Sequence, residues 1–235
     1  MSVIVLSCGR TGTNLVTEML RGNLSLHCQA EEEKSLWLAP RSLPEGWLAK
    51  SDTHYVKDLG AFEAVMDKNP DLKIIWTVRN FKDVIMSKIY RGQPGKDNLT
   101  LADDATHEGC KKDIEWMYRV FQTLQSRFPR RFMIVKMEDV LTNPVVSAQH
   151  MCRFLNVPYD DKVIDHMVDF PSRMRNPHKK ARYTKIDKSQ INLWKTVNSV
   201  YDGFFKAYAW GDLLDFAVGM NLNFGYKEEL EEYIL

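Results

Sequence analysis

The stretch Val3-Ile4-Val5-Leu6-Ser7-Cys8-Gly9-Arg10-Thr11-Gly12-Thr13-Asn14 decides how the rest of the chain is read. Val3 to Ser7 is a short apolar run of the kind that forms a buried strand. From Asn14 to Arg21, Leu15, Glu18, Met19 and Leu20 fall at helical spacing. Between strand and helix, two glycines permit a tight turn, so successive backbone N–H groups and the positive end of the helix can converge on one anion. The Thr11 and Thr13 hydroxyls stand ready to help. This is phosphate-loop chemistry without a Walker A ending. The Gly-Lys-[Ser/Thr] sequence is missing, the cation is Arg10 inside the turn, and nothing supplies a Mg²⁺-binding pair. Taken alone, a glycine turn carrying a surface arginine accounts for the segment equally well.

Outward from this stretch, short apolar runs alternate with helical patterns. Strands are expected at Leu24 to Cys28, Thr53 to Val56, Lys73 to Val78 and Arg131 to Lys136, and helices at Gly60 to Lys68 and Lys82 to Tyr90. A long amphipathic helix carries Ile114, Met117, Val120, Phe121, Leu124 and Phe128 on one face. The polar segment Arg91 to His107, with Gly92, Pro94 and Gly95, reads as a loop placed to serve as a lid or acceptor gate. From about residue 144 the chain reads as mostly helical. The alternation predicts an α/β three-layer sandwich: a central, mainly parallel sheet flanked by helices, in one domain over residues 1–235. Ligands of such sheets sit beyond the carboxyl ends of the strands, which is where the turn at Gly9 to Thr13 falls.

Composition narrows the function classes. The 235 residues, 44% of them hydrophobic, suffice for a full core. Lys plus Arg number 32 against 31 Asp plus Glu, a formal net charge of +1, so the broad basic field of a general nucleic-acid or anionic-membrane binder is absent. Any anion must be held locally. Cys8, Cys28, Cys110 and Cys152 include no CxxC pair and form no disulfide framework, which suits a reducing compartment, and no metal-ligand spacing appears. No signal-peptide pattern opens the chain and no apolar run is long enough to cross a bilayer. A complete, cytoplasmic protein without membrane insertion is expected.

A second anion site is predicted where strand Lys73 to Val78 ends. Arg79 follows it directly, and Ser87 lies eight positions later on the next helix. A guanidinium at a strand end and a hydroxyl in the following helix can share one phosphate, since the planar fork of arginine binds two oxygens at once. The same residues also allow a plainer arrangement, with Arg79 paired to Asp83 and Ser87 merely packed.

Together the two segments resemble the nucleotide-binding signatures of sulfotransferases that use 3′-phosphoadenosine 5′-phosphosulfate (PAPS), a family with a P-loop NTPase-like fold. Gly9-Arg10-Thr11-Gly12-Thr13-Asn14 resembles the family's 5′-phosphosulfate loop, and Val78 to Ser87 its 3′-phosphate motif. Val135-Lys136-Met137-Glu138-Asp139-Val140-Leu141, Asn143-Pro144 and Phe154-Leu155 resemble a further strand, Glu-Asp turn and helix. Lys188-Ser189-Gln190-Ile191-Asn192-Leu193-Trp194-Lys195 resembles the late segment that closes over the 3′-phosphate, with Ser189 and Asn192 where the family often has glycine.

The resemblance implies PAPS as donor co-substrate, bound by Arg10, Thr11, Gly12, Thr13, Asn14, Arg79, Ser87 and Lys188, with no metal required. It implies transfer of the sulfuryl group to a hydroxyl of a small-molecule or glycan acceptor, or to a tyrosyl group, by in-line displacement. The cytosolic small-molecule branch takes the acceptor's proton with a histidine about 22 residues before the 3′-phosphate arginine. Here that place is held by Lys57. The tyrosylprotein and carbohydrate branches use a glutamate some 20 residues after the loop arginine, and Glu31 lies 21 after Arg10. Glu31 is therefore the expected base, Glu32 and His54 the alternatives, and Lys57 a second cation on the sulfuryl oxygens.

The basic stretch Arg173 to Arg182 lacks the interleaved aromatics of a nucleic-acid site and is expected to lie over the cofactor or around an anionic acceptor, so no nucleic-acid partner is expected. Two other functions stay open: a metal-dependent P-loop-type nucleotide kinase, and a catalytically silent nucleotide-binding module.

Overall fold

The computed structural model describes residues 1–23, 25–30, 33–91, 106–165, 188, 191–192 and 210–227. They divide into two compact units: Met1–Val78 with Trp116–Lys188, and Arg79–Glu115 with Ser189–Leu235.

The first unit is built on a five-stranded parallel sheet. Its strands are β1 (Ser2–Ser7), β2 (His27–Ala30), β3 (Trp47–Asp52), β4 (Leu72–Val78) and β5 (Phe132–Lys136), in the order β2-β3-β1-β4-β5. All four pairings are parallel, so the crossovers run through helices, as the alternation of patterns requires. Val3, Ile4, Val5 and Leu6 of β1 are fully buried, and each contributes roughly 1.5–3 kcal/mol by leaving water. Helices α1 (Thr13–Arg21), α2 (Leu59–Lys68), α5 (Met137–Thr142) and α6 (Pro144–Leu155) belong to this unit, with most of α4 (His107–Arg127). The sheet with its surrounding helices is the expected α/β architecture. Trp76 on β4, Phe121 on α4 and Phe132 on β5 form an aromatic cluster, with ring centroids 5.4–5.6 Å apart. Half-buried Arg131 donates to the carbonyls of Met66, Asn69 and Leu72 and so closes the end of α2.

Two strands differ from expectation: the second, His27–Ala30, begins and ends later than the expected Leu24 to Cys28. The third strand is Trp47–Asp52, and Thr53–Tyr55 is a single 3₁₀ turn. The cause is local: Asp52 Oδ1 accepts the His54 N–H at 3.2 Å, which starts the turn. Trp116 Nε1 then holds it by donating to the Thr53 and Val56 carbonyls, 3.0 Å each.

The second unit packs α3 (Phe81–Arg91) on α7 (Trp210–Asn223), with the first turns of α4. Lys88, on α3, is completely buried and meets Asp113, on α4, at 2.6 Å. A buried cation is tolerated only when paired.

Cys8, Cys110 and Cys152 are buried and unoxidised. Among the described residues no helix is long and apolar enough to cross a membrane, and no group of three His, Cys, Asp or Glu could hold a metal ion. Of the predicted loop Arg91 to His107, Arg91 instead ends α3 and His107 begins α4, while residues 92–105, the basic stretch Arg173 to Arg182, Glu31 and Glu32 lie outside the described residues.

Candidate functional site

The turn after β1 is built for an anion. Arg10 and Gly12 both have positive φ, 77° and 97°, a conformation that turns successive N–H groups toward one concavity. At Gly12 a Cβ would overlap the Met137 Sδ, so that side chain would have to shift. Gly12 is also the N-cap of α1, and with no side chain capping it and no acidic residue in the first turn, the helix end keeps its positive field for a ligand. Ser7 Oγ, at the base of the turn, is buried without a hydrogen-bond partner among the described residues.

The individual side chains divide the work. Thr11 is fully buried, its hydroxyl donating to the Cys8 carbonyl at 2.8 Å and lying 3.0 Å from the Thr77 hydroxyl, so it ties the turn to β4 and leaves its backbone N–H for an anion. The Thr13 carbonyl accepts the Thr17 hydroxyl at 2.8 Å inside α1. Arg10 and Asn14 are exposed. Asn14 Oδ1 accepts a hydrogen bond from Lys50 Nζ at 2.7 Å, which brings a cation of β3 to the turn. Lys50 has no role in the sequence-based reading, because that reading placed the third strand six residues too late.

Beside the turn, at the same sheet edge, Ser7 pairs with Asp52. Asp52 Oδ1 lies 3.0 Å from His54 Nδ1, and His54 is about half exposed, at 48%. Its ring lies on that of Tyr55, with centroids 3.7 Å apart. Thr53 Oγ1 is buried with no partner among the described residues. Lys57 is exposed and stands just before Asp58, whose side chain caps α2.

Glu33, the last of the three consecutive glutamates, is buried and fully engaged. Its carboxylate accepts from Ser35 Oγ (2.7 Å), Leu36 N–H (2.9 Å) and Arg41 Nη2 (2.7 Å). Burial pushes its pKa up, but these three donors and the Arg41 charge more than offset that and hold it below the usual carboxylate value. Its backbone is fixed as well: the N–H donates to the Lys50 carbonyl at 2.6 Å, and its carbonyl accepts from Ser51 Oγ at 2.6 Å. The glutamate run is thus tied to β3 at its end, where a solvated helix start would also have suited the sequence.

In the second unit Arg79 is nearly buried, and its Nη2 lies 3.7 Å from Oδ2 of the fully buried Asp83. The plainer pairing therefore exists. Asp83 Oδ2 also accepts the Asn192 N–H at 3.0 Å, so the late segment meets the Arg79 motif at one carboxylate oxygen. Asn192 has φ of 56°, the left-handed region that favours glycine and tolerates asparagine best among the rest. That backbone demand accounts for asparagine at a position where glycine is common. Ser87 is buried on α3. Asn80 caps the helix, its Oδ1 accepting the Lys82 N–H at 3.0 Å, and Asn221 Oδ1 accepts the Phe81 N–H at 2.7 Å. Neither Asn221 nor α7 was singled out from the sequence. Lys188 is exposed.

Comparisons with known proteins agree with this fold. The model of the sulfotransferase domain family matches residues 1–199. Among solved structures, the chain is similar to the sulfotransferase domain of the Synechococcus PCC 7002 olefin synthase, with 16% identity over 83% of this chain and 87% of that one and a TM-score of 0.60. It is similar to the sulfotransferase domain from the curacin biosynthetic pathway, with 17% identity over 83% and 90% and a TM-score of 0.57. It is also similar to mouse sulfotransferase SULT7A1 complexed with PAP, with 14% identity over 88% and 84% and a TM-score of 0.55. These likenesses are of fold. No curated protein matches by sequence. With the family model spanning most of its length, the chain belongs to the sulfotransferase domain family and is an enzyme of sulfuryl transfer.

Proposed function

We propose that this protein, acting as one sulfotransferase domain in the cytoplasm, transfers the sulfuryl group of PAPS to a hydroxyl of a small-molecule, glycan or tyrosyl acceptor. The observation that carries the reading is the turn after β1: positive φ at Arg10 and Gly12, an uncapped helix end and a buried Ser7 hydroxyl with no partner among the described residues, together a cradle that an anion completes. PAPS carries roughly four negative charges at two places, and the chain offers two sets of donors to match, the turn and the Arg79 motif.

In this account Arg10 and the amides of Thr11, Gly12, Thr13 and Asn14 hold the 5′-phosphosulfate, and Arg79, Ser87 and Lys188 hold the 3′-phosphate. The acceptor oxygen forms a bond to sulfur as the bond from sulfur to the 5′-phosphate oxygen breaks. The acceptor proton passes to Glu31, and PAP leaves with its charge stabilised by Arg10. Lys57 is the second cation on the sulfuryl oxygens, and no metal takes part.

A second reading of the base rests on the Asp52 and His54 pair. An imidazole held by a carboxylate at 3.0 Å, half exposed beside the turn, is a competent proton acceptor. The two bases are separated by mutation. With PAPS and a panel of glycans, phenols and tyrosyl peptides, Glu31→Gln should abolish PAP formation while PAP affinity stays near wild type, and His54→Gln should leave most of the rate. The reverse pattern assigns the base to His54. Magnesium-dependent ATP binding in preference to PAP would replace the whole proposal with a kinase, and PAP binding without turnover on any acceptor would leave a silent binding module.

A further inference from the structure

We infer that Asn221, on α7, is a positioning residue for the 3′-phosphate. The inference rests on the proposed function and extends it to a segment beyond residue 199, where the family match ends.

Asn221 has no exposed surface, and both ends of its amide are used. Oδ1 accepts the Phe81 N–H at 2.7 Å, and Nδ2 donates to Asn80 Oδ1 at 3.1 Å. The first N–H groups of a helix have no partner within it. In α3 the Phe81 N–H is satisfied by Asn221, the Lys82 N–H by Asn80 Oδ1, and the Val84 N–H by the Asn80 carbonyl. Asn221 thus completes the cap and also orients the residue that makes the rest of it. Its own backbone is fixed, since its carbonyl accepts from the Phe224 and Tyr226 N–H groups at 3.1 and 3.0 Å. The Phe224 ring stacks on that of Phe81, with centroids 5.6 Å apart.

The consequence falls on Arg79. It stands one residue before Asn80, between a strand end and a helix start, so its direction depends on how that cap is held. An asparagine suits the task because it offers one acceptor and one donor in a fixed plane. An aspartate would keep the acceptor for Phe81 but set a second oxygen against Asn80 Oδ1. A serine would be too short to reach both partners.

The test uses the full chain and two nucleotides that differ only at the 3′ position. Calorimetric Kd values for PAP and AMP are measured for wild type, Asn221→Asp and Asn221→Ser, with a thermal melt to show that each variant is folded. The expected result is a rise of about tenfold in the Kd for PAP, with that for AMP unchanged, in either folded variant. Equal weakening of PAP and AMP would show a role in general stability only, and an unchanged Kd for PAP would show no role. Both outcomes overturn the inference. A wild-type protein that does not prefer PAP to AMP removes the proposed function itself, and the inference with it.

Discussion

Asp83 accepts the backbone N–H of Asn192 at 3.0 Å on the same oxygen that faces Arg79 Nη2 at 3.7 Å, although the two residues lie 109 positions apart in the chain. One buried carboxylate thus serves both the arginine proposed for the 3′-phosphate and a residue held in the left-handed conformation. Asn192→Gly should leave stability and PAP affinity near wild type, because glycine enters that conformation without strain. Asn192→Val should cost about 1–2 kcal/mol, with a matching loss of PAP affinity. Thermal melts and PAP titrations of the two variants check this; equal behaviour would mean that the backbone at residue 192 does not matter.

Gly12 gives a second test with two separable parts. Gly12→Ala meets both a backbone penalty at φ of 97° and an overlap with Met137 Sδ, and should destabilise the protein by about 2 kcal/mol. Adding Met137→Ala should recover the steric part and leave the conformational part, so the double variant melts between Gly12→Ala and Met137→Ala. Full recovery would mean that the turn carries no backbone constraint.

Lys50 should act on the 5′ anion at the turn. Because its ammonium sits 2.7 Å from Asn14 beside the turn, Lys50→Ala should weaken AMP and PAP by the same factor, about tenfold, and steepen neither preference. Titration of both nucleotides decides it. A loss confined to PAP would contradict the placement of the 5′ group at the turn.

The pH dependence of stability should carry the mark of Glu33. Its folded-state pKa lies below the usual 4.5, so its contribution is fully present above that value and is lost as pH falls through the lower, folded value. Wild type should exceed Glu33→Gln by about 1–2 kcal/mol at neutral pH, and the gap should close under acid. Denaturant unfolding of the two proteins across this range measures the gap. A difference that stays constant as pH falls would show that the carboxylate charge contributes nothing.

Much of this molecule was legible in its sequence, for identifiable reasons. Between Ser2 and Ser7 the strand β1 is apolar because it is central and covered on both faces, and its turn announces itself through two glycines and an arginine. The third strand was harder. Trp47-Leu48-Ala49 runs into Lys50 and Ser51, whose polar atoms find Asn14 and the Glu33 carbonyl only in the folded state. Thr53 to Val56 has the better strand composition but yields to a side-chain bond from Asp52. With the strand misplaced, Lys50 on it went unnoticed. Asn221 leaves no local signal at all, because the helix end it caps lies 140 residues earlier in the chain.

The central claim is that this chain binds a nucleotide bearing both a 5′ anion and a 3′-phosphate, and calorimetric titration of PAP into wild type and Arg79→Ala tests it most directly. The account predicts one PAP per chain without added magnesium, and a loss of about 30-fold in affinity in the variant, as expected for removing an arginine from a phosphate. Failure of the wild type to bind PAP, or binding that Arg79→Ala leaves unchanged, would contradict it.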